Sequence, residues 1–480
     1  MKMEGWLLDA SVDRGGRALT LWIKVGKKTR GYIYHKFHPS VFVRTDLLDD
    51  PKWSDIGALK TVLEHTDVTG TAIVHKFVSV YDEHPKRVLQ VFTTPDMHWK
   101  VARDLESLPG ATVFHSDLNP VQQFFITNEI FPFGRVEFEL ESSTVTEIKC
   151  LDSREDVEYE TPELEEMGIE VFIATQSIFP AMEDPIHHVD IYHRGELILI
   201  QNSDEREVLL ELQRAIDEID PDVIVTRGGD EHLFEYLTAR AHLNNVKLAF
   251  SRDGTTLNIA RKQSQSFWQY NQVVYRAGNQ VMFNGRIHID RRESQYYSPS
   301  GMEGVIEGCR LAFAQPQRVA RMSIGSVNAA VQYYTAHKMG ILIPPVKRNP
   351  EFLKSVNELA SIDRGGLILQ PMPGVYENVA ECDFSSMYPT LMVTRNISPE
   401  TICTRTQCPY DYKYCIEVPD LRFRLCSRRR GIVAEALRIV VKKRDAFKKL
   451  IEKGHDTRKY ELMQNTLKGV LVSCFGYLGF

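Results

Sequence analysis

The stretch VAECDFSSMYPTLMV, residues 379–393, decides how this sequence folds and what it does. Its first four residues predict a buried strand that ends at Asp383. A carboxylate held at a strand end can bind a hard divalent cation, and the small serines that follow let backbone N–H groups approach a triphosphate. Tyr388 offers a flat ring directly before Pro389, which is predicted to begin a helix. Aspartate at a strand end is also common as a helix cap or ion-pair partner, so the chemistry alone leaves both interpretations open.

Downstream, residues 431–453 and 457–475 are predicted to form two helices joined by a turn at Gly454, a helical hairpin. Arg444 and Lys448 are four residues apart and therefore share one face of the first helix. The second helix carries another lysine and, seven residues later on the same side, a phenylalanine. The hairpin can therefore present cations and an aromatic ring toward a common ligand.

The charge of the chain is unevenly distributed. The net charge is -6, yet residues 391–480 hold 18 Lys and Arg against 9 Asp and Glu, a local charge of +9. A basic block at one end of an acidic chain indicates a polyanionic partner, and a solvated charged helix is the alternative. Nowhere do eighteen apolar residues run together, so we expect no membrane span and a cytoplasmic, nucleoid-associated protein.

Three segments resemble the family B DNA polymerases. Residues 383–389, DFSSMYP, resemble the family motif D-x-x-S-L-Y-P-S, and residues 468–477, KGVLVSCFGY, resemble its second motif, K-x-x-x-N-S-x-Y-G. About 80 residues separate the two motifs, as in the family. Residues 364–366, Arg-Gly-Gly, resemble the family's Y-x-G-G element with its tyrosine lost.

The resemblance implies an α/β multidomain fold that corresponds to the N-terminal portion of such a polymerase. The expected parts are a β-rich N-terminal domain, a ribonuclease-H-like domain of the 3′–5′ exonuclease type, a connector that returns to the N-terminal domain, the first part of the palm, and helical-hairpin fingers. Their predicted ranges, in that order, are 1–154, 155–335, 336–376, 377–430 and 431–480.

The resemblance also assigns roles to individual residues. Asp383, with the backbone carbonyl of Phe384, would bind two Mg²⁺ ions, and Tyr388 would exclude a ribose 2′-hydroxyl. The residues expected to bind the incoming deoxynucleoside triphosphate are Ser385, Ser386, Met387, Tyr388, Arg444, Lys448, Lys468 and Phe475. Two departures affect this site, because Val472 stands where the family has asparagine and Phe475 where it has tyrosine. Both substitutions remove polar groups beside the nucleotide.

The proofreading motifs of the family have lost their acids. The positions that should carry them are occupied by Phe172, Ala174, Leu233 and Ser326. Because a metal site does not survive removal of its ligands, we expect an inactive exonuclease fold, as in the exonuclease-inactivated branch of the family. An unrelated metal site built from Asp230, Glu231, His232 and Asp290 is the alternative.

A second acidic motif, D-T-D-S in the family, occurs nowhere in the 480 residues. Three explanations stay open: a piece of a longer chain, a split enzyme whose second subunit carries the remaining palm and thumb, or a retired DNA-binding relative. The expected partners are primer–template DNA, deoxynucleoside triphosphates and such a second subunit, with a role in repair or lesion bypass. The rival class is a binding module, a polymerase-like scaffold that grips DNA without chemistry.

A cysteine group and an arginine run have no assigned role. Cys403, Cys408, Cys415 and Cys426 lack the C-x-x-C pairs of zinc sites, so zinc, free thiols and disulfides remain open. Residues 428–430, three arginines, could contact phosphate or be solvated.

Overall fold

The computed structural model of the protein describes the greater part of the chain. It covers residues 1–45, 67–175, 181–257, 265–269, 272–276, 280–345, 355–357, 360, 369–403, 414–418 and 423–478. Residues 265–269, 272–276 and 477–478 are described by their backbone alone. The Arg364–Gly366 segment and Cys408 lie outside these ranges.

The N-terminal region is rich in strands, as predicted, and contains a closed barrel and an open sheet. Its elements are β1 (Lys2–Val12), β2 (Leu19–Val25), β3 (Lys28–Tyr34), β4 (Ser40–Arg44), β5 (Val68–Lys76), β6 (Lys86–Thr93), α1 (His98–Glu106), β7 (Thr112–Phe114), α2 (Pro120–Asn128), β8 (Gly134–Glu141) and β9 (Thr144–Cys150).

The barrel has the strand order β1-β2-β3-β9-β8, and the open sheet has the order β5-β6-β4-β7. Gly5 allows two barrel strands to approach closely, because a Cβ there would lie 2.7 Å from the carbonyl oxygen of Lys24. Residues 341–343, from the predicted connector, lie on this region: Leu342 N–H donates to the Phe77 carbonyl, and Ile343 C=O accepts from His115 N–H.

The next region is a mixed sheet with helices on both faces. Its elements are β10 (Glu166–Ile173), β11 (Ile186–His193), β12 (Glu196–Ile200), α3 (Glu205–Ile219), β13 (Val223–Thr226), α4 (Phe234–Leu243), β14 (Gln265–Gln269), β15 (Gln272–Arg276), β16 (Ile287–Asp290), α5 (Tyr297–Ala312), α6 (Pro316–Arg321) and α7 (Ile324–Lys338). The five-stranded sheet has the order β12-β11-β10-β13-β16, with β10, β13 and β16 parallel.

Strand β13 shows how one sheet serves two cores. Ile224 packs in the apolar cluster that contains α3 and α4, whereas Val223 and Val225 pack in the cluster that contains α5 to α7. Alternate side chains of a strand point to opposite faces, so a four-residue apolar run fits a strand that is covered on both sides. A glycine turn follows β13, where Gly228 has φ of 85°.

The third region carries the stretch VAECDFSSMYPTLMV, residues 379–393. It contains α8 (Met387–Thr394), β17 (Ile402–Cys403), β18 (Cys415–Glu417) and β19 (Arg424–Cys426). The strand predicted before Asp383 is wrong: residues 377–384 are exposed and form no strand. Isolated strands leave their N–H and C=O groups unpaired, and no described strand pairs with this segment. The helix begins at Met387 rather than at Pro389, which therefore lies within the first turn, where proline is tolerated.

The last two helices form the predicted hairpin, α9 (Ile432–Glu452) and α10 (Thr457–Leu478), with the turn at Gly454. Helix α10 packs against α5 and α7, and helix α9 packs against α7 and α8. Both helices share one large apolar cluster with α5 and α7. The hairpin therefore rests on the helices of the preceding region. In the part of the chain that the structure describes, no helix is long and apolar enough to cross a membrane. The α/β multidomain fold class is confirmed, and the five domain ranges stay predictions.

Candidate active site

The motif turn places Asp383 in solvent just before helix α8. Asp383 and Phe384 are both exposed, Phe384 to 77%. Ser386, the residue before the helix, has φ of 47°, so the chain turns sharply here. The Thr390 hydroxyl donates to the Ser385 carbonyl at 3.0 Å, and Thr390 N–H donates to the Ser386 carbonyl at 2.9 Å. The first turn of α8 thus orders the two serines while leaving the carboxylate free of the helix.

Two aromatic rings from the two sequence motifs meet beside this turn. Tyr388 and Phe475 stack with ring centroids 4.9 Å apart and planes 19° from parallel. Both side chains are about half exposed, at 47% and 57%. An exposed pair of flat rings offers an apolar surface to a sugar or base. Val472, where the family has asparagine, is 74% exposed.

Arg444 reaches the same turn from helix α9. Its Nη1 donates a hydrogen bond to the Ser386 hydroxyl, although the residue itself is 9% exposed. Burial lowers the pKa of the Arg444 guanidinium from its ordinary value, which does not threaten its charge near neutral pH. A mostly buried cation next to a hydroxyl suits an anionic ligand.

The remaining predicted cations are less closely engaged. Lys448 is half-buried and Lys468 is exposed, and within the described residues no hydrogen bond or ion pair joins either of them to the motif turn. The structure therefore brings together Ser386, Tyr388, Arg444 and Phe475. It leaves Lys448 and Lys468 to reach a ligand through their long side chains.

The described residues do not make a complete metal site. They contain no group of three His, Cys, Asp or Glu side chains arranged to hold a metal ion. Asp383 with the Phe384 carbonyl supplies one carboxylate and one carbonyl oxygen, whereas two Mg²⁺ ions need bridging carboxylates and octahedral oxygen ligands. Two Mg²⁺ ions do not fit these donors alone.

The four positions that were predicted to have lost exonuclease acids have ordinary structural surroundings. Phe172 stacks on His188 with centroids 4.3 Å apart, and Leu233 is buried in the apolar cluster of the sheet. Ala174 donates its backbone N–H to the Pro185 carbonyl. Ser326 lies in the first turn of α7, where its N–H donates to the Ser323 hydroxyl. These side chains offer apolar contacts and a hydroxyl in place of carboxylates.

The alternative metal site is also not assembled. Asp230 is buried and bound by Arg321, whose Nη2 donates at 2.8 Å, while Asp290 accepts from the N–H groups of Gly228, Asp230 and Arg292. Glu231 and His232 instead face solvent. Asp230 and Asp290 thus act as buried acceptors that hold the glycine turn against helix α6.

Sequence reasoning missed a buried polar cluster under the hairpin. Lys443 is 1% exposed and its Nζ lies 2.7 Å from Oε1 of Glu307 on α5. A signal for it existed in the sequence. The apolar positions 433, 436, 440 and 447 are spaced by three, four and seven residues, and Lys443 falls within that stripe.

The arginine run and the cysteines have local partners. Arg428 lies over the Tyr414 ring at 4.0 Å, Arg429 donates to the Asp82 carbonyl, and Arg430 pairs with Glu435. Cys403, Cys415 and Cys426 are buried on the small sheet, with the sulfurs of Cys403 and Cys415 3.4 Å apart. Each arginine therefore contacts another part of the protein, which favours a structural role over a phosphate contact.

A barrel, a mixed sheet and a helical hairpin over a D-x-x-S-x-Y turn are the parts that the sequence resemblance predicted for a DNA polymerase. The sequence profile of DNA polymerase family B matches residues 334–480, and that of the family B exonuclease domain matches residues 165–293. A solved structure, the family B DNA polymerase from the archaeon Pyrobaculum calidifontis, superposes with a TM-score of 0.74 at 20% identity, covering 100% of this chain and 68% of that one.

Several DNA polymerases have similar sequences. DNA polymerase 2 of Saccharolobus solfataricus is 33% identical over 204 residues, which are 42% of this chain and 29% of the relative. A DNA polymerase of Archaeoglobus fulgidus is 24% identical along 100% of this chain and 64% of its own length. The chain thus spans less than two thirds of either relative. It belongs to the family B DNA polymerases.

Proposed function

We propose that this chain contributes the nucleotide-binding half of a DNA-directed DNA polymerase that lacks proofreading. Its substrates would be primer–template DNA and deoxynucleoside triphosphates, and its place would be the nucleoid, in repair or lesion bypass. Family membership supports the reaction class. The lost exonuclease acids support synthesis without proofreading, which suits damaged templates.

The observation that carries the proposal is the contact between the first motif and the helical hairpin beside α8. Arg444 donates to Ser386 while Tyr388 stacks on Phe475, although 58 residues and more separate the partners in the chain. Arg444, Lys448 and Lys468 would hold the triphosphate, where the negative charge that develops during phosphoryl transfer rewards nearby cations. The ring of Tyr388 would lie under the deoxyribose and leave no space for a 2′-hydroxyl.

The metal chemistry requires ligands beyond the described ones. Family B polymerases use divalent metals generally, and Asp383 with the Phe384 carbonyl would contribute to binding Mg²⁺. Because the 480 residues contain no D-T-D-S motif, the second carboxylate must come from elsewhere, either a longer chain or a second polypeptide that also supplies the remaining palm and thumb. By itself the chain would therefore bind its substrates without joining them.

A non-catalytic scaffold is the second candidate. It is favoured by the exposed position of Asp383 and by the absence of a three-ligand metal group among the described residues. Such a scaffold would grip DNA through backbone electrostatics and would not respond to changes at Asp383.

Primer extension by the complete enzyme, the 480 residues together with the polypeptide that carries the second acidic motif, separates the two candidates. Asp383→Ala should lower nucleotide incorporation about 100-fold or more, because it removes a group that stabilises the transition state. Glu381→Ala, an equally exposed acid two residues earlier, is the matched control and should retain activity. If the wild type incorporates no nucleotide while both variants still bind DNA, the protein is a scaffold instead.

A further inference from the structure

The strongest feature outside the site is the polar cluster between helix α5 and the hairpin. Lys443 and Glu307 form an ion pair with Nζ and Oε1 2.7 Å apart, and their side chains are 1% and 0% exposed. Lys443 also donates to the Arg154 carbonyl at 3.0 Å. Charged side chains are almost never buried so completely unless they are paired, so each of these two side chains holds the other in the interior.

The second helix of the hairpin is linked to the same polar cluster. The Tyr159 hydroxyl donates to the other carboxylate oxygen of Glu307 at 2.6 Å, and Lys459 of α10 donates to the Tyr159 carbonyl at 3.1 Å. Further along α10, the Asn328 side chain of α7 donates to the Val470 carbonyl at 2.9 Å. The hairpin is therefore attached to α5 and α7 by polar contacts as well as by apolar packing.

The surrounding charges make Glu307 hard to replace. Arg310, fully buried one turn further along α5, pairs with Asp152 at 3.2 Å, and its guanidinium lies over the Tyr159 ring at 3.7 Å. Lys443 and Arg310 are thus two buried cations in contact with the same tyrosine. Loss of the Glu307 charge would leave Lys443 buried beside a like charge, which favours movement of its helix toward solvent.

Helix geometry connects this cluster to the candidate active site. Consecutive residues of an α-helix differ by about 100° in direction, so the rotation that aims Lys443 at α5 also fixes the direction of Arg444. In that rotation Arg444 reaches the Ser386 hydroxyl. An apolar residue at position 443 would pack without setting so exact an angle, because apolar contacts have no preferred direction.

On the basis of the proposed function, we propose that Lys443 and Glu307 are positioning residues for nucleotide binding. Their ion pair sets the rotation of α9 on the exonuclease-like region, and this rotation aims Arg444 at the motif turn. The region that has lost its proofreading acids thereby keeps a second task, the alignment of the fingers.

The test compares Glu307→Gln with Glu303→Gln, the same substitution one turn earlier on α5 at a partly exposed position. In the 480-residue chain, hydrogen exchange of the α9 amides should become about tenfold faster in Glu307→Gln and stay unchanged in Glu303→Gln. In the complete enzyme, Glu307→Gln should raise the KM for dATP about tenfold, with a smaller change in kcat, because a cation displaced by about 1 Å binds the triphosphate poorly.

A double variant, Lys443→Met with Glu307→Leu, removes both charges while retaining apolar volume, and it keeps the test valid if Glu307→Gln does not fold. It should be folded and should still show the raised KM. A wild-type KM in the double variant, or in a folded Glu307→Gln, would overturn the positioning role, as would unchanged exchange in α9. If the complete wild-type enzyme incorporates no nucleotide, both the proposed function and the positioning role are wrong. This holds even when faster hydrogen exchange in Glu307→Gln shows that the ion pair holds α9 in place.

Discussion

At the scale of single residues, the buried ionisable side chains of this protein accept or donate specific hydrogen bonds, and the Asp9 carboxyl receives few of them. Asp9 of β1 is 5% exposed and accepts from Ala10 N–H at 2.7 Å and, weakly, from the Gln317 side chain at 3.5 Å. Burial raises the pKa of the Asp9 carboxyl to about 7. The folded protein therefore retains a proton on Asp9 at a pH where the unfolded chain has lost it.

This difference predicts a pH-dependent stability. Between pH about 4 and about 7 the folded state binds one more proton than the unfolded state, so Asp9 makes the free energy of unfolding fall as the pH rises, by up to about 4 kcal/mol in total. Asp9→Asn cannot ionise and should gain stability relative to the wild type across that range. Urea denaturation at pH 5 and pH 8 measures the change. Glu4→Gln, on the exposed side of the same strand, is the control, and an equal drift in both variants would exclude Asp9 as the cause.

At the scale of elements, the hairpin turn follows directly from its sequence. Gly454 has φ of 80°, its N–H donates to the Ile451 carbonyl, and His455 N–H donates to the Leu450 carbonyl. This bonding satisfies two carbonyls at the end of α9, and it requires a left-handed residue, for which glycine is preferred. The turn could therefore be predicted from a glycine placed between two amphipathic stretches.

A pair of glycine substitutions tests this origin of the turn. A Cβ at Gly454 or at Gly476 would meet no atom within 4 Å, so the two sites differ in backbone conformation rather than in space. Gly454→Ala should lower the free energy of unfolding by about 1 kcal/mol, because alanine is strained at positive φ. Gly476→Ala, inside α10, should raise it by about 0.5–1 kcal/mol through helix propensity. Chemical denaturation measures both, and a stabilised Gly454→Ala variant would contradict the argument.

The elements that were predicted well are those whose signal is local. Helices α9 and α10 carry apolar positions at helical spacing, and a glycine with positive φ lies between them. The strand before Asp383 was predicted wrongly, because a strand exists only where a neighbouring strand accepts its hydrogen bonds, and that information is not in the segment itself. Barrel closure was likewise not foreseen, since it depends on strands β1 and β8, far apart in the chain.

The candidate site shows the same division between local and distant information. The positions of Arg444 and Lys448 on one helix face follow from spacing, and the resemblance supplied Tyr388 and Phe475. The contact of Arg444 with Ser386 and the burial of Lys443 against Glu307 depend on how α9 packs on α8 and α5. Such contacts between distant segments need the three-dimensional structure.

At the scale of the whole molecule, the region of the mixed sheet has a structural role that does not depend on catalysis. Its helices α5 to α7 share the largest apolar cluster with the hairpin, and Glu307 and Asn328 bind the hairpin by polar contacts. Removal of this region would expose an apolar surface of the hairpin, which proteins avoid. Packing against the hairpin therefore constrains this fold independently of any metal-binding acids.

This separation of scaffold from chemistry predicts the behaviour of the complete enzyme on a mismatched primer. With Mg²⁺ and without nucleotides, a primer whose 3′ end is mispaired should stay intact, because Phe172, Ala174, Leu233 and Ser326 offer no carboxylate to a metal ion. Gel analysis of an end-labelled primer over time measures the loss of 3′ nucleotides. Shortening of the primer that disappears in Asp290→Asn but persists in Glu231→Gln would instead indicate a nuclease site at the buried acids. Asp290 accepts three backbone N–H bonds, so circular dichroism must show that the Asp290→Asn variant is folded. If the wild type shortens the primer and a folded Asp290→Asn variant does not, the predicted absence of exonuclease activity is wrong.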